Sequence, residues 1–256
     1  MAPDERFESM GPVPELRVGA EQPPLTSGGR AAALVEILIC SDYPTQIALA
    51  WTFAALGYGP LAGQRLSVWY VALLSLTDTM LLLALIAMFL SARGERARDV
   101  FLGARSPWRE ALAGLSLTFV ALILGVAVLA GVQQLAPWLH TVEDNPLQEL
   151  IRTPRDAAVF AVVVVVAGGI REEIQRAFLL RRFEQWVGGA GVGVVVTSVA
   201  FGAGHLLQGA DAAIATGLLG AFWAVIYLRR RSVAAPIVSH ASFNLLQLAQ
   251  FLVSGR

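Results

Sequence analysis

The sequence predicts an all-α fold, a polytopic helical membrane bundle of about seven transmembrane spans. Three observations lead there. Hydrophobic residues make up 56% of the 256-residue chain and charged residues 15%, with a mean hydropathy of +0.62, which leaves too little polar surface for a soluble globule of this size. Several apolar runs approach or exceed the roughly 20 residues needed to cross a bilayer core. Arginine clusters interrupt those runs at intervals that put them on one side of the membrane, as the positive-inside rule requires.

Charge and cysteine content remove other classes. The 19 basic and 19 acidic residues cancel, so there is no electrostatic footprint for nucleic acid, and the expected surroundings are the lipid bilayer. Every basic residue is arginine, which points to a GC-rich genome and a bacterial inner (cytoplasmic) membrane. The single Cys40 rules out an internal disulfide and a cysteine-based zinc site.

Along the chain, residues 1–30 alternate prolines and glycines with charges and lack an apolar signal core, so they read as a disordered tail. Residues 31–136 read as N-terminal membrane helices: an interfacial helix over 31–40 and spans over 43–59, 66–90 and 111–135. Asp78 in the second span reads as the partner of a polar group on a neighbouring helix or as a position lining a cavity. The loop over 91–110 carries Arg93, Arg96, Arg98, Arg105 and Arg109, which places it in the cytoplasm. The loop over 137–156 holds His140, expected to be exposed or interfacial.

Residues 156–253 form the expected catalytic core, with spans over 157–180, 192–207, 212–228 and 233–253. The first of these is stopped by Arg181-Arg182 and the third by Arg229-Arg230-Arg231. A cytoplasmic N-terminus puts all these arginines on the cytoplasmic side. Ala213, Gly217 and Ala221, with Ser198 and Gly202, give small-residue stripes for close helix packing.

Three polar groups interrupt the core. Arg171, Glu172, Glu173 and Arg176 follow the valine-rich run 157–167; Glu172 and Arg176, four apart, share a helix face and can pair, while Glu173 points elsewhere. His205 lies on the next span, one turn after Phe201, and His240 and Asn244 share a face of the last span after Pro236. Ionisable groups in hydrocarbon are costly and point to function. A glutamate beside an imidazole can activate water, and imidazole and amide donors can stabilise an oxyanion. Alternatively, His205, His240 and Glu172 can hold a divalent metal such as zinc, which acidifies its bound water.

These motifs resemble those of the CPBP intramembrane proteases, which include the type II CAAX prenyl endopeptidases and bacteriocin-processing or immunity-type homologues. Their pattern is Glu-Glu-x-x-x-Arg, Phe-x-x-x-His and His-x-x-x-Asn on successive helices. Phe201-Gly202-Ala203-Gly204-His205 and His240-Ala241-Ser242-Phe243-Asn244 match in full. The first motif departs: Arg176 stands three residues after Glu173, one short of the pattern, and either glutamate remains open as the base. The resemblance implies an intramembrane endopeptidase acting on a membrane-associated peptide or protein near the cytoplasmic surface. Its catalytic set is Glu172, Glu173, Arg176, His205, His240 and Asn244. The alternative is a non-proteolytic scaffold or bacteriocin-immunity-type protein of the same fold.

Overall fold

The computed structural model describes residues 27–63, 65–143 and 145–254. The expected tail therefore lies outside the described residues as far as residue 26, and helix α1 (Ser27–Ile39) already covers the remainder. Helix α2 (Tyr43–Ala55) follows after a bend of 47°. Asp42 at the break has φ 81°, a left-handed conformation that aspartate tolerates better than most residues. Pro44, in the first turn of α2, needs no N–H there.

A short hairpin, β1 (Leu61–Ala62) with β2 (Arg65–Leu66), leads to α3 (Val68–Ala92), α4 (Ala97–Phe101) and α5 (Pro107–Leu135). The next helix enters through a capping box between Thr153 and Asp156. It runs as α6 (Pro154–Val165), a π turn over Val166–Arg171 and α7 (Glu172–Trp186), followed by α8 (Gly189–Ala203), α9 (Ala210–Arg230) and α10 (Ala234–Ser254). The chain is an all-α membrane bundle. Helices α3, α5 and α9 are each long and apolar enough to cross a membrane, and the bent pair α1–α2 meets the same test when taken together.

Helix α7 sits at the centre, because it is apolar on two faces. Phe178 and Leu179 pack with Leu82, Ile86 and Leu90 of α3, while Ala177 and Leu180 pack with Ala224 and Tyr227 of α9. Glu173, Arg176 and Arg182 are thereby enclosed by protein, the setting in which such groups are tolerated at membrane depth.

The expected stop at Arg181-Arg182 is corrected: α7 continues to Trp186. The reason is that Arg182 does not face water. It is fully buried and ion-paired with Glu36 and Glu95, and Arg93 donates to the same Glu36 at 2.7 Å. Arg181 adds a 3.2 Å contact to Glu95.

Two carboxylates at this charged end titrate below their usual range. Burial pushes Glu95 up, but its bonds to Arg182, Gln185 and Arg181 outweigh that and leave it lowered. Glu184 is lowered chiefly by its bond to Arg231. Depressed carboxylates contribute stability above the unfolded pKa of about 4.3, and that stability is lost as pH falls through the folded values. Thermal melting in detergent should therefore be nearly flat from neutral pH to about pH 5 and fall below it, with a shallower fall in Glu95→Gln.

Small residues set the closest helix contacts. A Cβ on Gly202 would come within 2.6 Å of the Ala213 carbonyl, and one on Gly217 within 3.2 Å of the Ser198 carbonyl, so the expected α8–α9 stripe is present. It does not continue to Ala221, however. Gly220 takes that place, facing the Phe201 ring, because steps of four residues drift about 40° per step around a helix of 3.6 residues per turn.

Candidate active site

The π turn is the local device that builds the site. Gly168 and Gly169 leave its surface bare, so α10 packs directly on it. A Cβ on Gly169 would lie 2.7 Å from the Ala241 side chain, and one on Gly168 would lie 2.8 Å from the Asn244 amide nitrogen. Asn244 Nδ2 donates to the Val164 carbonyl at 3.3 Å, one of the backbone groups at the change of helical pitch. This contact sets the height of α10 against α7, so His240, one turn before Asn244, meets Glu173, one residue into α7.

The His240 Nδ1 to Glu173 Oε1 distance is 2.8 Å. A carboxylate oxygen only accepts, so the proton is assigned to Nδ1, and in the neutral ring Nε2 is an acceptor. Glu173 is 1% exposed and also receives a hydrogen bond from Arg176. The imidazole is stacked on the Trp223 indole at 3.8 Å between centroids, and Trp223 Nε1 donates to Ser239 Oγ at 3.2 Å. The Arg176 guanidinium lies 4.7 Å from the Phe201 ring centre and 5.9 Å from that of Trp223. His240 is thus held on one edge by Glu173 and on one face by Trp223.

The expected Glu172–Arg176 pair is corrected. Arg176 pairs with Glu173, at i,i+3, and Glu172 turns to Arg171, which donates to it at 3.3 Å. Spacings of three and four both bring helical side chains together, and the buried His240 favours Glu173 as the shared acceptor. Glu172 is the more accessible acid, with 17% of its side chain exposed, and its Oε2 lies 3.9 Å from His240 Nε2.

A second cluster backs Glu172. Arg171 is buried and donates to Asp42, at the α1–α2 break, and to Asp78 of α3, the latter at 2.9 Å. Asp78 therefore has the interhelical partner expected for it. Asp42 was not recognised as a site residue, and Arg171 was read in the polar cluster but not in the catalytic set; an ionisable group in each of three apolar segments was the available signal. Trp223 gave none, since an apolar helix accommodates tryptophan anywhere.

His205 lies just past α8, not within the span expected to continue to residue 207, because Gly204 ends the helix. Its Nδ1 donates to the Phe201 carbonyl at 2.8 Å, and its ring packs edge-on to Phe201 at 4.8 Å. Phe201 also meets His240, at 6.0 Å, so one phenyl ring touches both imidazoles. Tyr43 Oη donates to the Ala200 carbonyl at 2.6 Å and ties α2 to this end of α8. Among the described residues no hydrogen bond or ion pair joins His205 to either glutamate, and no three His, Cys, Asp or Glu side chains are arranged to hold a metal ion. His205, His240 and Glu172 are thus not grouped as a ligand set among the described residues. His140 lies in its loop as expected and pairs with Asp211 at 2.8 Å.

In the comparisons with known proteins, no curated protein and no solved structure matches the chain. One family model does, over residues 154–246, described as type II CAAX prenyl endopeptidase Rce1-like. The match begins at the first residue of α6 and ends two residues after Asn244, so it encloses the π turn, both glutamates, Arg176 and both histidines of the site. Over residues 154–246 the chain is therefore similar to the Rce1-like type II CAAX prenyl endopeptidase family, and that stretch lies within an integral membrane bundle.

Proposed function

We propose that this protein is an intramembrane endopeptidase that hydrolyses a peptide bond of a membrane-associated substrate, with Glu172 as the general base. The observation that carries this reading is the 3.9 Å gap between Glu172 Oε2 and His240 Nε2. It is too long for a direct hydrogen bond and suits a bridging water. Glu173 holds the imidazole with its proton on Nδ1, so both edges of the gap are acceptors. A water placed there points its two hydrogens at Glu172 and His240 and its lone pair outward.

In this scheme the water oxygen bonds to the scissile carbonyl carbon while its proton passes to Glu172. The resulting oxyanion is met by the second amide N–H of Asn244, with His205 on the Phe201 ring as the further polar group offered to it. Glu172 then returns its proton to the leaving nitrogen as the C–N bond breaks, giving a carboxylic acid and an amine. Arg176 fixes Glu173 and so acts on the imidazole from behind. The arginine-rich end faces the cytoplasm of a bacterial cell in this reading, with the substrate entering from that side.

The test is cleavage of membrane-tethered peptides, with and without a prenyl group, by the purified protein. Glu172→Gln keeps an oxygen for Arg171 and should lower kcat about a hundredfold to ten-thousandfold, the usual worth of a general base, with its melting temperature retained. Cleavage unaffected in Glu172→Gln, Glu173→Ala and His205→Ala alike would overturn the mechanism. A folded wild-type protein that cuts none of the peptides would favour the non-proteolytic scaffold.

A further inference from the structure

On the side of α9 away from the site, an apolar groove of about 590 Å³ runs between α5 and α9, lined by Leu117 and Leu124 of one and by Leu218, Phe222, Val225 and Ile226 of the other. The α9 positions recur at three- and four-residue steps, so they form one continuous stripe along the helix. That stripe ends on Arg229 and Arg230, which close the groove at the charged end. There a second, polar recess begins, of about 430 Å³, lined by Arg105, Ser106, Arg109, Glu110 and again Arg230.

Three arginines, Arg105, Arg109 and Arg230, share this recess with one carboxylate. Arg230 neutralises Glu110, with contacts of 2.5 and 3.0 Å, and Arg105 reaches it at 3.7 Å. Arg109 and Arg229 are exposed and have no side-chain partner among the described residues. Three arginines against one carboxylate leave a net excess of two positive charges in the recess, and Arg229 at the end of the groove adds a third. From Arg229 back to Leu218 the groove is about 16 Å deep at 1.5 Å per residue, which is about half of a 30 Å hydrocarbon core. The site thus has an anion-seeking mouth at the membrane surface and an apolar slot one leaflet deep.

We propose that this composite site holds a resident anionic phospholipid, its phosphate in the arginine recess and one acyl chain in the α5–α9 groove. Charge selects the headgroup, since a zwitterionic lipid brings no net charge to offset the surplus. Occupancy also bears on the catalytic helix pair: Phe222 in the groove wall packs edge-on to Trp223 at 6.3 Å, and Trp223 stacks on His240. The inference does not depend on the proteolytic reading, and its test measures binding alone.

Purified full-length protein in detergent would be titrated with phosphatidylglycerol or phosphatidylcholine. Bound lipid would be read by native mass spectrometry and thermal stability by melting. Wild type should retain phosphatidylglycerol preferentially and melt higher with it. Each arginine near an anionic surface is worth roughly fivefold in affinity, so Arg109→Gln/Arg229→Gln should bind phosphatidylglycerol about thirtyfold more weakly. Because neither side chain has a partner in the fold, its melting temperature in phosphatidylcholine should match wild type. Ala221→Phe, which fills the groove but keeps the arginines, should also lose the retained lipid. Equal retention of the two lipids, an unchanged preference in the double arginine variant, or the same stabilisation by inorganic phosphate alone would each overturn the proposal.

Discussion

Glu173→Ala is expected to remove both cleavage and much of the stability of the bundle. Glu173 is buried and answers two positive or proton-bearing neighbours at once, Arg176 and His240. Truncation leaves the Arg176 guanidinium, 4% exposed, without its counter-charge. Breaking a buried ion pair from one side typically costs about 3–5 kcal/mol, a large share of the 5–15 kcal/mol that holds a typical domain together. Removing both partners is far less harmful, because no orphaned charge remains. Glu173→Leu/Arg176→Met should therefore melt well above Glu173→Ala while remaining inactive, since His240 has lost the acceptor that fixes its tautomer. Melting and peptide cleavage measured on the same preparations separate the two effects. A Glu173→Ala protein that melts with wild type would show that Arg176 is stabilised by Phe201 and Trp223 alone.

Arg171→Met should have an effect of similar size by the opposite charge route. Arg171 stands among Asp42, Asp78 and Glu172, and its loss leaves three carboxyl groups facing one another in a buried space. We expect a loss of about 3–5 kcal/mol in stability, read as a lowered melting temperature. Adding Asp78→Leu should recover part of it, because the fully buried Asp78 is then no longer an unpaired charge. The double-mutant cycle measures the coupling between the two residues directly. In the proposed mechanism Arg171 acts as a positioning residue, through its contact with Glu172. The recovered double variant should therefore show a lowered kcat with KM little changed, whereas a purely structural role would restore kcat together with the melting temperature.

The residue types of the site were legible in the sequence; their pairing was not. His205, His240 and Asn244 stood out because polar side chains are expensive in apolar helices, Phe201 stood out by its place one turn before His205, and His240 does meet a glutamate. Which glutamate it meets depended on the choice between i,i+3 and i,i+4 partners, and spacing alone does not make that choice. Asp42 contacts a residue 129 positions away, through a bend that only the packed bundle defines. The long helices α3, α5 and α9 followed from hydropathy within a few residues. The end of α7 did not, because Arg182 looked like a residue that seeks water, and its counter-charges Glu36 and Glu95 sit on remote segments.

The π turn over Val166–Arg171 carries a further consequence. A π turn accommodates about one residue more than an α turn over the same rise. The Glu-Glu-to-Arg spacing just beyond it is one residue shorter than in the family pattern. The two do not offset each other: the π turn absorbs its own extra residue, so removing one residue from it would restore α pitch with the faces of α7 unchanged, whereas the shorter spacing moves the arginine by one position, about 100° around the helix. That step makes Arg176 the i,i+3 neighbour of Glu173, and the two pair there.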